Sequence, residues 1–257
     1  MTMLLPLLSL LVAQAASAQT LEHDRLIVCE TQARRDPTTA LVTASSWLRE
    51  ASAGDRSFPQ QCLGLAYVSL LRWQAAEAAF LAAREALANG DFAERARLAA
   101  MAGNAALAES RYQAAREHFE VAQADAATSG DTPLSGEIAA DRAQALVGLG
   151  QTDAASAALA DARRDAPQLA EAWLLSATLS RRQGRLAQAQ AEIQTAAALA
   201  PKDPAVGLEA GVIAVLSGHD IAARQSWRSV VELSPATPEA ATARGYLAQL
   251  DPQPTGR

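Results

Sequence analysis

The chain is poor in the residues that most enzymes and nucleic-acid-binding proteins depend on. Of its 257 residues only 4% are aromatic, and Lys202 is the one lysine. The formal net charge is −6, and arginine supplies every other cation. Because nucleic-acid-binding surfaces need clustered positive charge, this composition argues against a nucleic-acid partner and against an electrostatic hold on anionic lipid.

Bulky apolar side chains are also scarce, although half of the residues are apolar. Alanine supplies much of that half, and alanine is the best helix former and lets helices approach closely. So few large side chains cannot fill one thick core. The composition therefore favours thin, repeated layers of helices over the core of a globular enzyme.

Patterns that carry catalysis or metal binding are missing from the sequence. None of the three histidines, His23, His118 and His219, has a second histidine or a cysteine three or four residues away, so metal-ligand spacing is absent. No glycine-rich phosphate loop follows a strand, and no nucleophile-elbow motif occurs. The sequence therefore predicts a protein that is not an enzyme and that has no metal or cofactor.

The first residues have the features of a secretory signal. An apolar run covers residues 4–12, and Ala16, Ser17 and Ala18 fit the small-residue rule for signal cleavage. The run is too short to span a bilayer. We expect residues 1–18 to be a signal peptide cleaved after Ala18, which leaves a periplasmic or secreted protein without membrane insertion.

Two cysteines, Cys29 and Cys62, remain after this cleavage. In an oxidising compartment an even number of cysteines indicates a disulfide. The alternative is a pair of small buried thiols, which is a common environment for cysteine. The expected export favours the disulfide.

A constant period organises the second half of the chain. Glycines recur at positions 150, 184 and 218, and prolines recur with the same step at 167, 201 and 235. One unit carries a set of marker residues at fixed places: Trp173, Gly184, Ala189, Ala196 and Pro201. This pattern resembles the tetratricopeptide repeat, in which a helix–turn–helix unit of about 34 residues stacks on its neighbours.

The resemblance implies an all-α fold, namely an α-solenoid that coils as a right-handed superhelix of stacked helix–turn–helix units. Five repeats are predicted within 57–237, at 57–90, 96–129, 136–169, 170–203 and 204–237. Residues 19–56 are expected to form an N-terminal capping helix pair (a degenerate repeat). Residues 238–250 are expected to form a C-terminal capping helix, and 251–257 a disordered tail. In this register Cys29 and Cys62 lie at nearly the same place in adjacent units, which also favours the disulfide.

The layout, with an N-terminal cysteine pair and a final helix after a proline, resembles exported tetratricopeptide proteins of alphaproteobacteria. This narrower resemblance adds no activity. The tetratricopeptide resemblance itself implies a non-enzymatic scaffold that binds a protein or peptide segment in its concave groove, and the expected export indicates a role in envelope assembly or secretion. One alternative is a structural subunit whose repeats self-associate without a separate peptide ligand. Another is an accessory domain for an enzyme encoded elsewhere.

The family places its groove on the first helix of each repeat. The corresponding protein-binding positions here are Arg97, Asn104, Gln144, Leu174, Thr178, Arg181, Arg182, Leu208 and Val212. The same helix faces also carry Leu65, Val68, Leu107, Glu137, Val147, Glu171 and Val215. For Arg181 and Arg182 a second interpretation stays open, because cations near a helix C-terminus also stabilise the helix dipole.

Overall fold

The computed structural model describes residues 21–87 and 90–250, and all regular structure in these ranges is helical. The predicted signal peptide of residues 1–18, its cleavage after Ala18 and the predicted tail of 251–257 lie outside the described residues. The predicted all-α fold is confirmed. The helices are α1 (21–35), α2 (Pro37–Glu50), α3 (Ser57–Ser69), α4 (Trp73–Ala86), α5 (Phe92–Ala108), α6 (Tyr112–Ser129), α7 (Thr132–Gly148), α8 (Thr152–Asp165), α9 (Ala170–Arg182), α10 (Leu186–Leu199), α11 (Pro204–Leu216), α12 (Asp220–Leu233) and α13 (Pro238–Leu250).

The chain divides after Asp131 into two compact units. The first unit contains α1 to α6, and the second contains α7 to α13. In each unit consecutive helices pack as helix–turn–helix pairs, and in the second unit the first helices of successive pairs, α7, α9 and α11, also touch one another. The last helix, α13, packs on both α11 and α12. Stacked helix pairs, in which each pair contacts the next, are the arrangement found in an α-solenoid.

Prolines and aspartates set several helix starts. Pro37 and Pro204 occupy the first turn of α2 and α11, where the missing amide hydrogen removes no helical hydrogen bond. The Asp36 carboxylate before α2 accepts hydrogen bonds from the hydroxyl (2.6 Å) and the backbone amide (3.1 Å) of Thr39. These hydrogen bonds hold the pKa of Asp36 below its usual value. Such N-caps satisfy amides that the helix itself leaves unpaired.

The five central helix pairs share one turn geometry. The residue with positive φ occupies the same position of every predicted repeat, and these residues are Leu71, Ser110, Gly150, Gly184 and Gly218. Only the last three are glycines, which adopt this left-handed conformation without steric cost. The glycine pattern in the sequence therefore located three turns, whereas Leu71 and Ser110 adopt the same conformation without a glycine signal.

Two first helices are longer than the sequence suggests. The first helices α3, α9 and α11 have 13 residues each, but α5 and α7 have 17. Segments 91–95 and 130–135 separate the first three predicted repeats, so the sequence predicts linkers there. Both segments are instead mostly helical, because α5 begins at Phe92 and α7 at Thr132. Four added residues make about one helical turn. The insertions extend the helices toward their N-termini and leave the later register unchanged.

The same kind of side-chain contact recurs where the two helices of each central pair cross. A small residue of the first helix faces a large residue of the second helix at a constant sequence spacing: Gly64 and Phe80, Gly103 and Phe119, Ala143 and Leu159, Ala177 and Ile193, and Gly211 and Trp227. A Cβ on Gly103 would lie 2.6 Å from Cε1 and 2.8 Å from Cδ1 of Phe119, which is closer than real contacts allow. Glycine therefore faces the aromatic rings, while alanine faces the smaller leucine and isoleucine.

Polar bridges join the second helices of the first unit. The Glu77 carboxylate of α4 accepts hydrogen bonds from Arg111, which precedes α6, and lies 2.7 Å from Nε2 of His118 on α6. Further along, Arg84 donates to the nearly buried Asp125 at 2.6 and 3.1 Å. Burial alone would raise the pKa of Glu77, but the hydrogen bonds from Arg111 and His118 outweigh it and lower that pKa below its usual value.

A disulfide ties the N-terminal helix pair to α3. Cys29 and Cys62 are bonded with their Cα atoms 5.9 Å apart, and both side chains are buried. They lie in a small core with Leu26 and Trp47. The indole nitrogen of Trp47 donates to Glu22 at 2.6 Å, so α2 is also linked to α1. The bridge therefore fixes the first helix pair against the array that follows.

We expect Gly103→Ala to lower stability. The added methyl group overpacks the crossing against Phe119, at a cost of roughly 1–3 kcal/mol. Adding Phe119→Leu should recover part of the loss, since an alanine–leucine pair occupies the equivalent crossing at 143 and 159. Thermal unfolding checks both variants. Gly245→Ala in α13 is the control: a Cβ there meets nothing within 4 Å, so helix propensity should raise stability by about 1 kcal/mol. Equal effects at both glycines would contradict this description.

We expect Glu77→Gln to remove a pH-dependent part of the stability. Because the folded-state pKa of Glu77 is lowered, its contribution is present above the ordinary glutamate pKa and is lost as the pH falls through the lowered value. Urea unfolding at pH 7 should show the variant less stable than the parent chain. The difference should shrink as the pH falls below about 4. If the stability difference between Glu77→Gln and the parent chain were the same at pH 7 and at pH 3, the Glu77 carboxylate would not be the source of that difference.

We expect the cysteines to be oxidised in protein that is produced in an oxidising compartment. Alkylation in denaturant without reductant should leave the intact mass unchanged, while prior reduction should give two modified thiols. Replacing both cysteines by alanine should lower the free energy of unfolding by about 3–4 kcal/mol, because the bond closes a loop of 33 residues. Two alkylated thiols in the unreduced sample would contradict the predicted disulfide.

Candidate functional site

The predicted groove residues of the first unit lie on α5. Arg97 and Asn104 are both exposed there. The Arg97 guanidinium lies 3.2 Å from Asp131 and 3.7 Å from Glu94, so it is already paired within its own unit. Burial raises the pKa of Glu94, and the charge of Arg97 opposes that rise. Asn104 also has an interaction partner. Both side chains therefore already interact with other residues of the protein.

The second unit carries the other predicted positions on three first helices. Gln144 is half-buried on α7, as are Leu174 and Thr178 on α9 and Leu208 and Val212 on α11. Leu174 packs on the core around Ile193, and Leu208 and Val212 pack on the core around Trp227. The structure therefore brings the α9 and α11 positions onto contacting helices. We call this the α9–α11 face, defined by Leu174, Thr178, Arg181, Arg182, Leu208 and Val212.

An ion pair crosses the α9–α11 face. Arg181 of α9 donates from Nε and Nη2 to the two carboxylate oxygens of Glu209 on α11, at 2.6 and 3.3 Å. Both side chains are largely shielded from solvent. The next residue, Arg182, is exposed. The two adjacent arginines therefore differ: Arg181 holds two helices together, while Arg182 projects from the same end of α9. Sequence reasoning missed Glu209, because its link to Arg181 joins two successive first helices and follows no marker residue.

An apolar pocket continues the α9–α11 face toward the C-terminus. Its volume is about 220 Å³, and its walls come from α11, α12 and α13. We call it the α13 pocket; its lining residues are Val212, Val215, Leu216, Trp227, Tyr246, Gln249 and Leu250. Val212 and Val215 were predicted as groove positions. Tyr246 and Leu250 were not, because the last helix was interpreted only as a cap.

Interactions within the unit hold the walls of the α13 pocket in place. The Trp227 indole nitrogen donates to the carbonyl of Leu208 at 3.1 Å, and its ring centroid lies 5.0 Å from that of Tyr246. The Arg224 guanidinium donates at 2.6 Å to the carbonyl of Leu250, at the end of α13. Hydrogen-bonded aromatic walls of this kind provide a preformed apolar site. In the sequence, the available signal was the spacing of three large apolar residues, Tyr246, Leu247 and Leu250, in an alanine-rich helix.

A buried polar cluster lies elsewhere in the second unit. The Glu192 carboxylate, 4% exposed, accepts hydrogen bonds from Ser180 at 2.7 Å and Gln188 at 2.9 Å and is paired with Arg163. Arg163 also stacks over Trp173, 5.2 Å from the ring centroid. These contacts join α8, α9 and α10, so the cluster has a structural role. In residues 21–87 and 90–250 no three His, Cys, Asp or Glu side chains are grouped to hold a metal.

Comparisons with known proteins give matches in structure alone. No protein-family model and no curated protein sequence matches the chain. Among solved structures, PilW, a widely conserved type IV pilus biogenesis factor, aligns with a TM-score of 0.70 and 17% identity over 87% of this chain and 98% of its own. TTC0263, a TPR protein of Thermus thermophilus, aligns with a TM-score of 0.57 and 19% identity over 76% of this chain and 98% of its own.

A third structure is YrrB, a TPR protein with an unusual peptide-binding site. It aligns with a TM-score of 0.51 and 19% identity over 79% of this chain and 97% of its own. At these identities the likeness concerns the fold. None of the described helices has the length and apolar character needed to cross a membrane. Together with the recurring turn and crossing, the three alignments show that this chain has the all-α solenoid fold of tetratricopeptide-repeat proteins.

Proposed function

We propose that the chain is a non-enzymatic scaffold that binds a protein segment along the α9–α11 face, with one apolar side chain of the segment in the α13 pocket. The observation that carries this proposal is the pocket itself. It is apolar and held by internal hydrogen bonds, and half-buried Val212 and Val215 line it. Burying an apolar side chain there supplies about 25 cal/mol per Å², before the costs of association.

The tetratricopeptide fold supports a role in protein binding. YrrB is a TPR protein with a peptide-binding site, and PilW is a pilus biogenesis factor. Both align with most of this chain. The N-terminal sequence supports export, and the disulfide between Cys29 and Cys62 suits an oxidising compartment. We therefore place the scaffold in the periplasm or outside the cell, in envelope assembly or secretion.

Self-association is a second candidate function, and a surface of the first unit favours it. Leu21, Val28 and Val42 are 61%, 67% and 68% exposed. Leu21 and Val28 line an apolar groove of about 320 Å³ between α1 and α2. Exposed apolar surface of this kind is typical of protein interfaces. A second copy of the chain would cover it, whereas a protein segment bound at the α13 pocket would leave it open.

Site-specific photo-crosslinking tests the proposal. A photoreactive amino acid at Val212 should give an adduct with another protein in envelope fractions, because Val212 lines the proposed site. The same amino acid at Arg228, an exposed residue of α12, is the matched control and should give none. A third position, Val28, reports on the α1–α2 groove.

The adducts separate the two functions. A heterologous adduct at Val212 alone supports the scaffold. A chain-to-chain adduct at Val28, with none at Val212, supports self-association and contradicts the scaffold. Replacing Val212 by aspartate should reduce co-purification of the crosslinked protein at least several-fold, while the helical circular-dichroism signal stays unchanged.

A further inference from the structure

Positively charged side chains cluster at the C-terminal end of α9. Arg181, Arg182 and Arg185 lie close together in sequence, although the whole chain has a net charge of −6. The carboxylate of Glu209 pairs with Arg181. Arg182 and Arg185 are exposed, and Arg185 donates to the neutral side chain of Gln183. The end of α9 therefore presents net positive charge to solvent.

The repeat places this charge beside the α13 pocket. Arg182 is the last residue of α9, and Leu216, one repeat later, is the last residue of α11. The two residues thus occupy equivalent places on two helices that touch each other. Leu216 lines the α13 pocket. Because the axes of packed helices lie about 8–10 Å apart, we expect the end of α9 that carries Arg182 to be about one helix width from Leu216 at the wall of the pocket.

The size of the pocket limits what it can hold. Sites for cofactors and drug-sized molecules usually enclose about 300–1,000 Å³. The α13 pocket, at about 220 Å³, falls below that range and is mainly apolar. It therefore suits one apolar side chain of a longer segment. The rest of that segment must lie outside the pocket, where the nearby charge is positive.

We propose that the segment is acidic as well as apolar: one large apolar side chain enters the α13 pocket and a carboxylate binds Arg182. This inference rests on the proposed function and names the chemistry of its partner. A separation of one helix width corresponds to about three residues of extended chain, at about 3.3 Å per residue. A carboxylate gains a charge-assisted, directional contact from a guanidinium, which supplies selectivity beyond apolar burial.

A phage-displayed library of random nonapeptides, selected on the immobilised chain, tests this inference. Selection on the parent chain should enrich peptides with Asp or Glu about three positions from Leu, Phe or Trp. Selection on Arg182→Glu should enrich Lys or Arg at that position instead. Arg228→Glu on the exposed side of α12 is the matched control and should select the same peptides as the parent chain.

Fluorescence anisotropy of one enriched peptide measures how much the acidic residue contributes to the binding affinity. Changing its acidic residue to lysine should weaken binding to the parent chain about tenfold, and Arg182→Glu should reverse that preference. Arg182 is exposed, so its replacement should leave the circular-dichroism spectrum unchanged.

Three results would overturn the inference: no enriched peptides, enrichment without acidic residues, or equal effects of the Arg182 and Arg228 variants. The crosslink at Val212 distinguishes this failure from failure of the proposed function. If Val212 still crosslinks to a protein, the face binds a segment of another chemistry. If that crosslink is also absent, both proposals fail.

Discussion

The crossing of two helices within each pair is the constraint on which the rest of the structure depends. A small residue in the first helix must face a large residue in the second, and the sizes are matched at each crossing. Glycine faces phenylalanine or tryptophan at three crossings, while alanine faces leucine or isoleucine at two. Interiors are close-packed, so either too much or too little volume at this point would alter the angle between the helices.

The same crossing builds the candidate site. In the last pair Gly211 lets the Trp227 ring lie directly on α11, and the ring then forms one wall of the α13 pocket. The indole nitrogen bonds to Leu208, so the packing that closes the helix pair also fixes the pocket. Tyr246 completes the pocket because α13 packs on α11 and α12 without a second helix of its own among the described residues. The pocket thus results from the way in which α13 covers the last pair.

Much of the fold could be predicted from the sequence, because each repeat is subject to the same constraints. Gly150, Gly184 and Gly218 mark the turns, and Pro204 lies at a helix start. Cys29 and Cys62 could be paired because the period places them on neighbouring helices. The turns at Leu71 and Ser110 carried no such signal, because residues other than glycine rarely adopt a positive φ.

The candidate site was less predictable, since it depends on contacts between repeats. The period assigned Leu174, Leu208 and Val212 to the first helices of successive repeats, and these helices contact each other, but it gave no information on side-chain pairing. Arg181 is bound to Glu209, yet the next residue in the sequence is an exposed arginine. Tyr246 lies one period after Val212, but it was not identified because the last helix was interpreted only as a cap. The pairing of Arg181 with Glu209 arises from tertiary geometry, which a repeat pattern does not encode.

The tryptophan side chains allow one direct measurement of the central claim, that the α13 pocket binds a protein segment. Trp47, Trp73, Trp173 and Trp227 lie in different parts of the chain, and each contributes one indole N–H signal to a ¹H–¹⁵N spectrum. Adding a binding segment should shift the Trp227 signal strongly and leave Trp47, at the α1–α2 groove, unchanged. A shift of Trp47 with Trp227 unchanged would contradict the claim.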